Sequence, residues 1–154
     1  MQHAPLTAGD LCTRSTVTAT RALALNEAAL LMREYHVGSI VVVDDTLVGN
    51  LPVGMLTDRD IVTAVVAKDV DIHTLQVGDV MSTDLVTVRE ADSLLVTLER
   101  MRRHGVRRVP VTGERGVLQG VLSLDDVAEV IGEQITALVQ ALTVGGRREA
   151  ERRP

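Results

Sequence analysis

Aromatic side chains are nearly absent from this sequence: among 154 residues there is one Tyr, with no Phe and no Trp. The core must therefore be built from aliphatic side chains. Surfaces that stack the bases of RNA or single-stranded DNA need several exposed rings, so the composition argues against that function. Sixteen Lys and Arg residues stand against 21 Asp and Glu residues. The net charge of −5 likewise argues against non-specific binding to nucleic acid or to an anionic membrane.

Cysteine and catalytic motifs are equally scarce. The only cysteine, Cys12, cannot form an internal disulfide, which fits a reducing compartment. The four histidines lack the spacing of metal ligands, so we predict no metal site. Phosphate-binding loops and nucleophile elbows are also missing, and we predict that the protein is not an enzyme. Without a signal peptide or a long apolar run, we expect a cytoplasmic protein with no membrane partner.

What the sequence does contain is an internal repeat. Residues 6–42 align without gaps with residues 75–111 at an offset of 69. Beyond a loop that is three residues shorter in the second copy, the offset becomes 66, and residues 54–61 align with residues 120–127. Two copies of one unit therefore make up nearly the whole chain.

Each copy shows the same pattern of strands and helices. We predict an α+β fold of two β-α-β-β-α repeats, residues 6–68 and 75–144. The first strands are predicted at residues 17–19 and 85–88. Because one copy alone would expose an apolar sheet face, the repeats should pack sheet to sheet as an intramolecular pseudo-dimer. The last helix is extended, Gly145-Gly146 are expected to stop it, and residues 145–154 are predicted to form a flexible tail.

A hydroxyl and a carboxylate recur at the start of the final helix of each copy. Thr57 with Asp60, and Ser123 with Asp126, have the spacing of a helix capping box, which alone accounts for these residue types. These pairs are repeated, each follows a glycine (Gly54 or Gly120), and each stands at a strand-to-helix corner, which together also favour a ligand site. There, a helix start offers N–H groups to a phosphate, and an aspartate can accept ribose hydroxyls.

These segments, GMLTDRDI at residues 54–61 and GVLSLDDV at residues 120–127, closely resemble the CBS domain, named after cystathionine β-synthase. Supporting matches are GDVM at residues 78–81 and VRRVPV at residues 106–111. The repeated pair resembles a Bateman module. The resemblance implies a regulatory protein with no obligatory cofactor, whose ligand is an adenosine compound such as AMP, ADP, ATP or S-adenosylmethionine.

The resemblance also implies two sites, each drawing residues from both copies. The first would use Thr57, Asp58, Arg59, Asp60, Ser82, Arg107, Arg108 and Pro110. The second would use Ser123, Asp126, Thr13, Thr16, Gly38, Ser39 and Val41. Arginine makes paired, charge-assisted bonds to phosphate oxygens, so the arginine pair favours a phosphate at the first site. The second set has no arginine, so we expect it to take a less charged ligand or to remain empty.

Two alternatives stay open. The chain is a nucleotide sensor that pairs as a homodimer and acts on an unknown regulated protein, or it is a dimerisation module that binds no ligand. Capping alone would explain Thr57 and Ser123 in the second case. The arginines at the C-terminus are offset by Glu149 and Glu151, so no nucleic-acid partner is predicted.

Overall fold

The structure is a computed structural model and describes residues 5–152, with side chains described up to residue 145. Two stretches with the same order of elements follow one another along the chain. The first contains α1 (Ala8–Leu11), β1 (Thr18–Ala19), α2 (Leu25–Tyr35), β2 (Ser39–Thr46), β3 (Gly49–Thr57) and α3 (Asp58–Ile61), which continues as a π-helical segment, Val62–Val66.

The second repeat follows a short 3-10 turn, Ile72–Thr74. Its elements are α4 (Val77–Val80), β4 (Val88–Arg89), α5 (Leu94–His104), β5 (Arg108–Thr112), a 3-10 turn (Glu114–Gly116), β6 (Leu118–Ser123) and α6 (Leu124–Arg152). The amphipathic patterns in the sequence correctly predicted α2 and α5. Their buried faces carry Ala28 and Met32 in the first repeat and Met101 in the second.

Each repeat contributes one three-stranded sheet with the same pairing. The first strand is parallel to the second, and the second is antiparallel to the third. A register shift falls between Val42 and Val43 in β2 and between the equivalent Val111 and Thr112 in β5. The sheets contact each other through β3 and β6. This architecture confirms the α+β fold of two tandem repeats packed as a pseudo-dimer.

The short helices α1 and α4 are exchanged between the repeats. The N–H of Ala8 donates to Asp92 O, and the N–H of Val77 donates to Leu23 O, each over 2.9 Å. The core of the second repeat therefore includes Ala8, Leu11 and Cys12 from the start of the chain. The core of the first repeat includes Val77, Val80 and Met81. Because each core contains residues from the other repeat, we expect the pair to fold as one unit.

Two expectations about elements are wrong. β4 begins at Val88, because only Val88 and Arg89 lie in register with β5, and residues 85–87 run beside the seam instead. Gly145-Gly146 do not stop α6, whose backbone continues to Arg152. Glycine costs a helix only about 1 kcal/mol relative to alanine, and good helix formers follow it here. That residues 145–154 form a flexible tail stays a prediction, and its last two residues lie outside the described range.

The apolar character of α6 also exceeds what the sequence pattern suggested. By length and mean hydropathy (1.3), Leu124–Gly145 could cross a membrane, although other long helices pass the same test. Isoleucine, leucine, valine and alanine raise the hydropathy, and the glycine, threonine and glutamine residues between them prevent an unbroken run of large apolar side chains. Only 6% of the apolar window is buried.

Two candidate ligand clefts at the seam

The two hydroxyl and carboxylate pairs form capping boxes. Thr57 Oγ1 accepts a hydrogen bond from the Asp60 N–H (3.1 Å), and Asp60 Oδ2 accepts one from the Thr57 N–H (2.8 Å). Ser123 Oγ accepts from the Asp126 N–H (3.1 Å), and Asp126 Oδ2 accepts from the Ser123 N–H (3.4 Å). Among the described residues, Oδ1 of either aspartate makes no hydrogen bond. Each carboxylate therefore holds the cap with one oxygen, and its other oxygen has the capacity to accept a further hydrogen bond.

The first cleft, which we call cleft 1, has a volume of about 480 Å³ and lies between the repeats. This volume suits a small organic ligand. One wall comes from the first repeat and the other from the second. The lining consists of Ser39, Met55, Thr57, Arg59, Asp60, Ser82, Asp84, Leu85, Val86, Gly105, Val106, Arg107 and Arg108. Six of the eight residues predicted for the first site are thus brought together.

Asp58 and Pro110 are the two residues of the predicted first set that do not line cleft 1. The Asp58 carboxylate turns back to accept from the Arg59 N–H (2.8 Å). Oδ2 of Asp58 lies 3.2 Å from where a Cβ on Gly38 would stand, beside the other cleft. Pro110 is buried in the middle strand of its sheet, where it pairs with Val121.

Cleft 2 is smaller, with a volume of about 310 Å³. All seven residues predicted for the second site line it. The full lining is Thr13, Ser15, Thr16, Val17, His36, Val37, Gly38, Ser39, Val41, Arg108, Val121, Ser123, Asp125 and Asp126. His36 and Asp125 are not among the residues predicted for this site. Both are walls of this cleft.

The repeat offsets relate the two linings residue by residue. At an offset of 66, Met55 and Arg59 of cleft 1 correspond to Val121 and Asp125 of cleft 2. At an offset of 69, Ser15 and His36 of cleft 2 correspond to Asp84 and Gly105 of cleft 1. Applying the same offsets to each predicted set would have found two of the missed residues, Leu85 from Thr16 and Asp125 from Arg59. The exchanged helices place Ser82 and Thr13 in the clefts, since each pairs with the last strand of the other repeat.

The glycine that begins each motif is required by a close backbone approach. A Cβ on Gly54 would stand 2.6 Å from Ser82 O, and one on Gly120 would stand 2.6 Å from Thr13 O. Real Cβ atoms do not come this close to a carbonyl oxygen. These glycines therefore allow the segments after α4 and α1 to lie on β3 and β6, which forms the floor of each cleft.

The clefts differ in charge and share two residues, Ser39 and Arg108. Three arginines (Arg59, Arg107, Arg108) and two aspartates (Asp60, Asp84) line cleft 1. One arginine and two aspartates line cleft 2, and the arginine is again Arg108. The expectation that the second site contains no arginine is therefore wrong. Arg107 of cleft 1 also forms an exposed ion pair with Asp125 of cleft 2, with Nη2 to Oδ1 at 3.2 Å.

Other candidate groups have structural roles. Cys12 packs on the core of the second repeat, and burial raises the pKa of its thiol. A hollow of about 590 Å³ is larger than either cleft, but it lies within the second repeat and is lined mainly by loop residues 112–116.

Among the described side chains there is no group of three or more His, Cys, Asp or Glu residues that could hold a metal ion.

Comparison with known proteins identifies the family. The family model for the CBS domain matches residues 8–67 and again residues 77–133. The chain therefore belongs to the CBS-domain family and is a tandem CBS pair. The uncharacterized protein MK0525 of Methanopyrus kandleri is 30% identical over 122 residues, which cover 79% of this chain and 61% of that protein. The CBS domain-containing protein YhcV of Bacillus subtilis is 35% identical over 119 residues, covering 77% of this chain and 81% of that protein.

Solved structures show the same fold. Hypoxic Response Protein I, solved with two coordinated zinc ions, is 33% identical with a TM-score of 0.69, over 80% of this chain and 97% of that chain. The cytosolic domain of the Mg²⁺ channel MgtE in complex with ATP is 25% identical with a TM-score of 0.68, over 80% of this chain and 48% of that chain. A hexameric CBS-CP12 protein from bloom-forming cyanobacteria is 26% identical with a TM-score of 0.69, over 80% and 69%.

Proposed function

We propose that this protein is a regulatory CBS pair that binds an adenosine-containing ligand in the seam clefts and transmits its occupancy to a partner protein. The observation that carries the proposal is the composition of each cleft. A capping hydroxyl and carboxylate from one repeat face walls from the other repeat, so a ligand would contact both. AMP, ADP, ATP and S-adenosylmethionine are the candidates, and the ATP complex of the MgtE domain supports this ligand class.

The mechanism follows from the position of the clefts. A ligand shifts a conformational equilibrium only by binding one arrangement more tightly than another. Because Arg107 and Thr57 line cleft 1 from different repeats, a ligand that contacts both favours the arrangement in which the repeats are close. The bound and empty states then present different outer surfaces to the regulated protein.

A thermal-melt screen of the ligand-free chain tests the proposal. Ligand at a hundred times its Kd should add about 2.7 kcal/mol, which raises the Tm by roughly 5–10 °C for a chain of this size. AMP, ADP, ATP and S-adenosylmethionine are the compounds to screen. The double variant Asp60→Ala, Asp126→Ala should lose the shift. An unchanged shift in that variant, or a flat screen with folded, empty protein, would refute the sensor function.

A second candidate function, an interaction module, is favoured by α6. Every residue from Ile131 to Gly145 is exposed. Among them Ile131, Ile135, Leu138 and Leu142 follow the 4-3-4 spacing of a two-helix seam. Residues 134–146 carry no charge, but at 1.5 Å per residue they extend only about 20 Å, less than the hydrocarbon thickness of a bilayer. A second copy of the chain fits this face better than a membrane, and we propose a homodimer through α6.

Sedimentation velocity at several protein concentrations tests this dimer. Leu138→Glu places a charge in the contact between the two α6 helices of the proposed dimer and should shift the chain to monomer. Gln140→Glu, on the opposite side of α6, is the matched control and should leave the dimer intact. A wild-type chain that stays monomeric, or a Leu138→Glu chain that still dimerises, would exclude α6 as the interface. Ligand binding by a monomeric variant would show that the sensor and the dimer are separable.

A further inference from the structure

The two clefts share Arg108, so a ligand that binds this residue in one cleft affects binding in the other. Arg108 begins β5, and its equivalent in the first repeat, Ser39, begins β2. Both residues line both clefts. They therefore lie where the clefts adjoin, and one guanidinium is within the walls of two sites.

Arg108 is also available to a ligand. Its side chain is exposed, and it makes no hydrogen bond or ion pair with any other described residue. A guanidinium binds phosphate oxygens through paired, charge-assisted bonds in a fixed planar geometry. Once it is engaged by a phosphate in one cleft, the same group is not available to a phosphate in the other.

A second contact also makes a phosphate in cleft 1 unfavourable for a phosphate in cleft 2. Arg107 lines cleft 1 and pairs with Asp125, which lines cleft 2. The pair is exposed, so it is weak and a phosphate in cleft 1 can compete for the arginine. When Arg107 moves to that phosphate, Asp125 loses its partner and cleft 2 becomes more negative. Asp126 is the other acid there, and His36 is the remaining titratable group in the lining.

We infer that the two clefts are coupled through Arg108 and the Arg107–Asp125 pair, so that a phosphorylated ligand in cleft 1 weakens binding of a second phosphorylated ligand in cleft 2. Binding of an uncharged adenosine ligand in cleft 2 is left nearly unchanged, because it needs no counter-charge. The coupling is reciprocal, as any coupling between binding sites must be. This inference rests on the proposed function, since it needs ligands in both clefts.

The size of the coupling between the clefts is limited because the charges that carry it are exposed and are screened by salt. Couplings between sites run from about fivefold to 150-fold, and screening over roughly 10 Å at 0.1 M salt puts this one at the lower end. We expect about a fivefold loss of AMP affinity at cleft 2 when cleft 1 holds AMP. The loss should shrink as salt is raised.

Calorimetric titrations with AMP and with adenosine test the coupling. AMP binding at cleft 2 is measured in the intact chain, as the second step, and in Asp60→Ala, whose cleft 1 is disabled. We expect the affinity in Asp60→Ala to be about five times higher than that of the second step. Asp60→Asn, which keeps an oxygen for the cap, repeats the measurement if Asp60→Ala unfolds. Adenosine should bind cleft 2 equally in both chains.

Variants of the shared residues then identify the cause. Arg108→Gln combined with Asp125→Asn should reduce the fivefold difference towards one. Arg103→Gln removes another exposed, ion-paired arginine, on α5, and should leave the difference unchanged. Equal AMP affinities in the intact and disabled chains, or a difference that survives both substitutions, would overturn the coupling. Absence of binding by AMP and adenosine would overturn the coupling, and absence of binding by ADP, ATP and S-adenosylmethionine as well would overturn the proposed function itself.

Discussion

Cleft 1 and cleft 2 have the same backbone frame but present different charges. Each is built on a capping box, a glycine pressed against a carbonyl, and a segment exchanged from the other repeat. At equivalent positions, however, cleft 1 has Arg107 where cleft 2 has Gly38, and Arg59 where cleft 2 has Asp125. The comparison shows that the duplicated fold conserves the binding frame, whereas a few substitutions on its rim change which ligand charge each copy favours.

The largest expected effect is on the shared frame. Gly54→Ala and Gly120→Ala each force a Cβ to within 2.6 Å of a carbonyl oxygen. Overpacking of this kind costs typically about 1–3 kcal/mol, so we expect the Tm to fall by roughly 3–10 °C in both variants. Thermal unfolding followed by circular dichroism measures this.

Gly132→Ala is the matched control for these variants, because a Cβ there meets nothing within 4 Å. It should stabilise α6 slightly, since alanine is the better helix former. If only one of the two motif variants loses stability, the clefts do not share the same frame.

The next largest effect is expected when the equivalent residues Arg107 of cleft 1 and Gly38 of cleft 2 are exchanged. Arg107→Gly should reduce the preference of cleft 1 for AMP over adenosine by about tenfold, the loss of one charge-assisted contact to phosphate. Gly38→Arg should raise that preference in cleft 2, with Asp58 nearby as a partner like that of Arg107. Competitive titrations with AMP and adenosine measure both preferences. An unchanged preference in both variants would show that these positions do not determine the ligand charge.

Much of this pair of clefts was predictable from the sequence. The offsets of 69 and 66 revealed the repeat, and the spacing of Thr57 and Asp60 predicted the capping box that the structure contains. The exchange of α1 and α4 was not predictable, because an offset shows which segments are equivalent but not which core they join. For the same reason Arg108 was assigned to one cleft, although it stands where both meet.

A smaller effect concerns the residue that ends α2 beside cleft 2. His36 adopts a left-handed conformation (φ 53°), and its equivalent beside cleft 1 is Gly105 (φ 64°). A side chain is strained in this conformation and glycine is not. His36→Gly should therefore stabilise the chain by about 0.5–1 kcal/mol, after allowing for the greater freedom of glycine when unfolded. Chemical denaturation measures the change, and a loss of stability would contradict this account of the cap.

The smallest effect lies at α1, which leads into cleft 2. Hydrogen bonds from the backbone N–H and the hydroxyl of Thr7 lower the pKa of Asp10 below its ordinary value of 3.8. This lowered pKa stabilises the folded chain; the contribution is fully present above the ordinary value of 3.8 and is lost as the pH falls through the folded-state pKa. Asp10→Asn should thus lower the Tm slightly at pH 7, and the difference between the chains should shrink as the pH falls below 3.8. A difference between the chains that grows towards low pH would contradict this sign.

The most direct test of the account is a crystal structure of the chain with AMP. The account predicts the ribose at Asp60 and the phosphate between Arg107 and Arg108, in cleft 1, at ligand concentrations that leave cleft 2 without AMP. AMP found in cleft 2 with cleft 1 empty, AMP in both clefts at equal occupancy, or no AMP at the seam would contradict it.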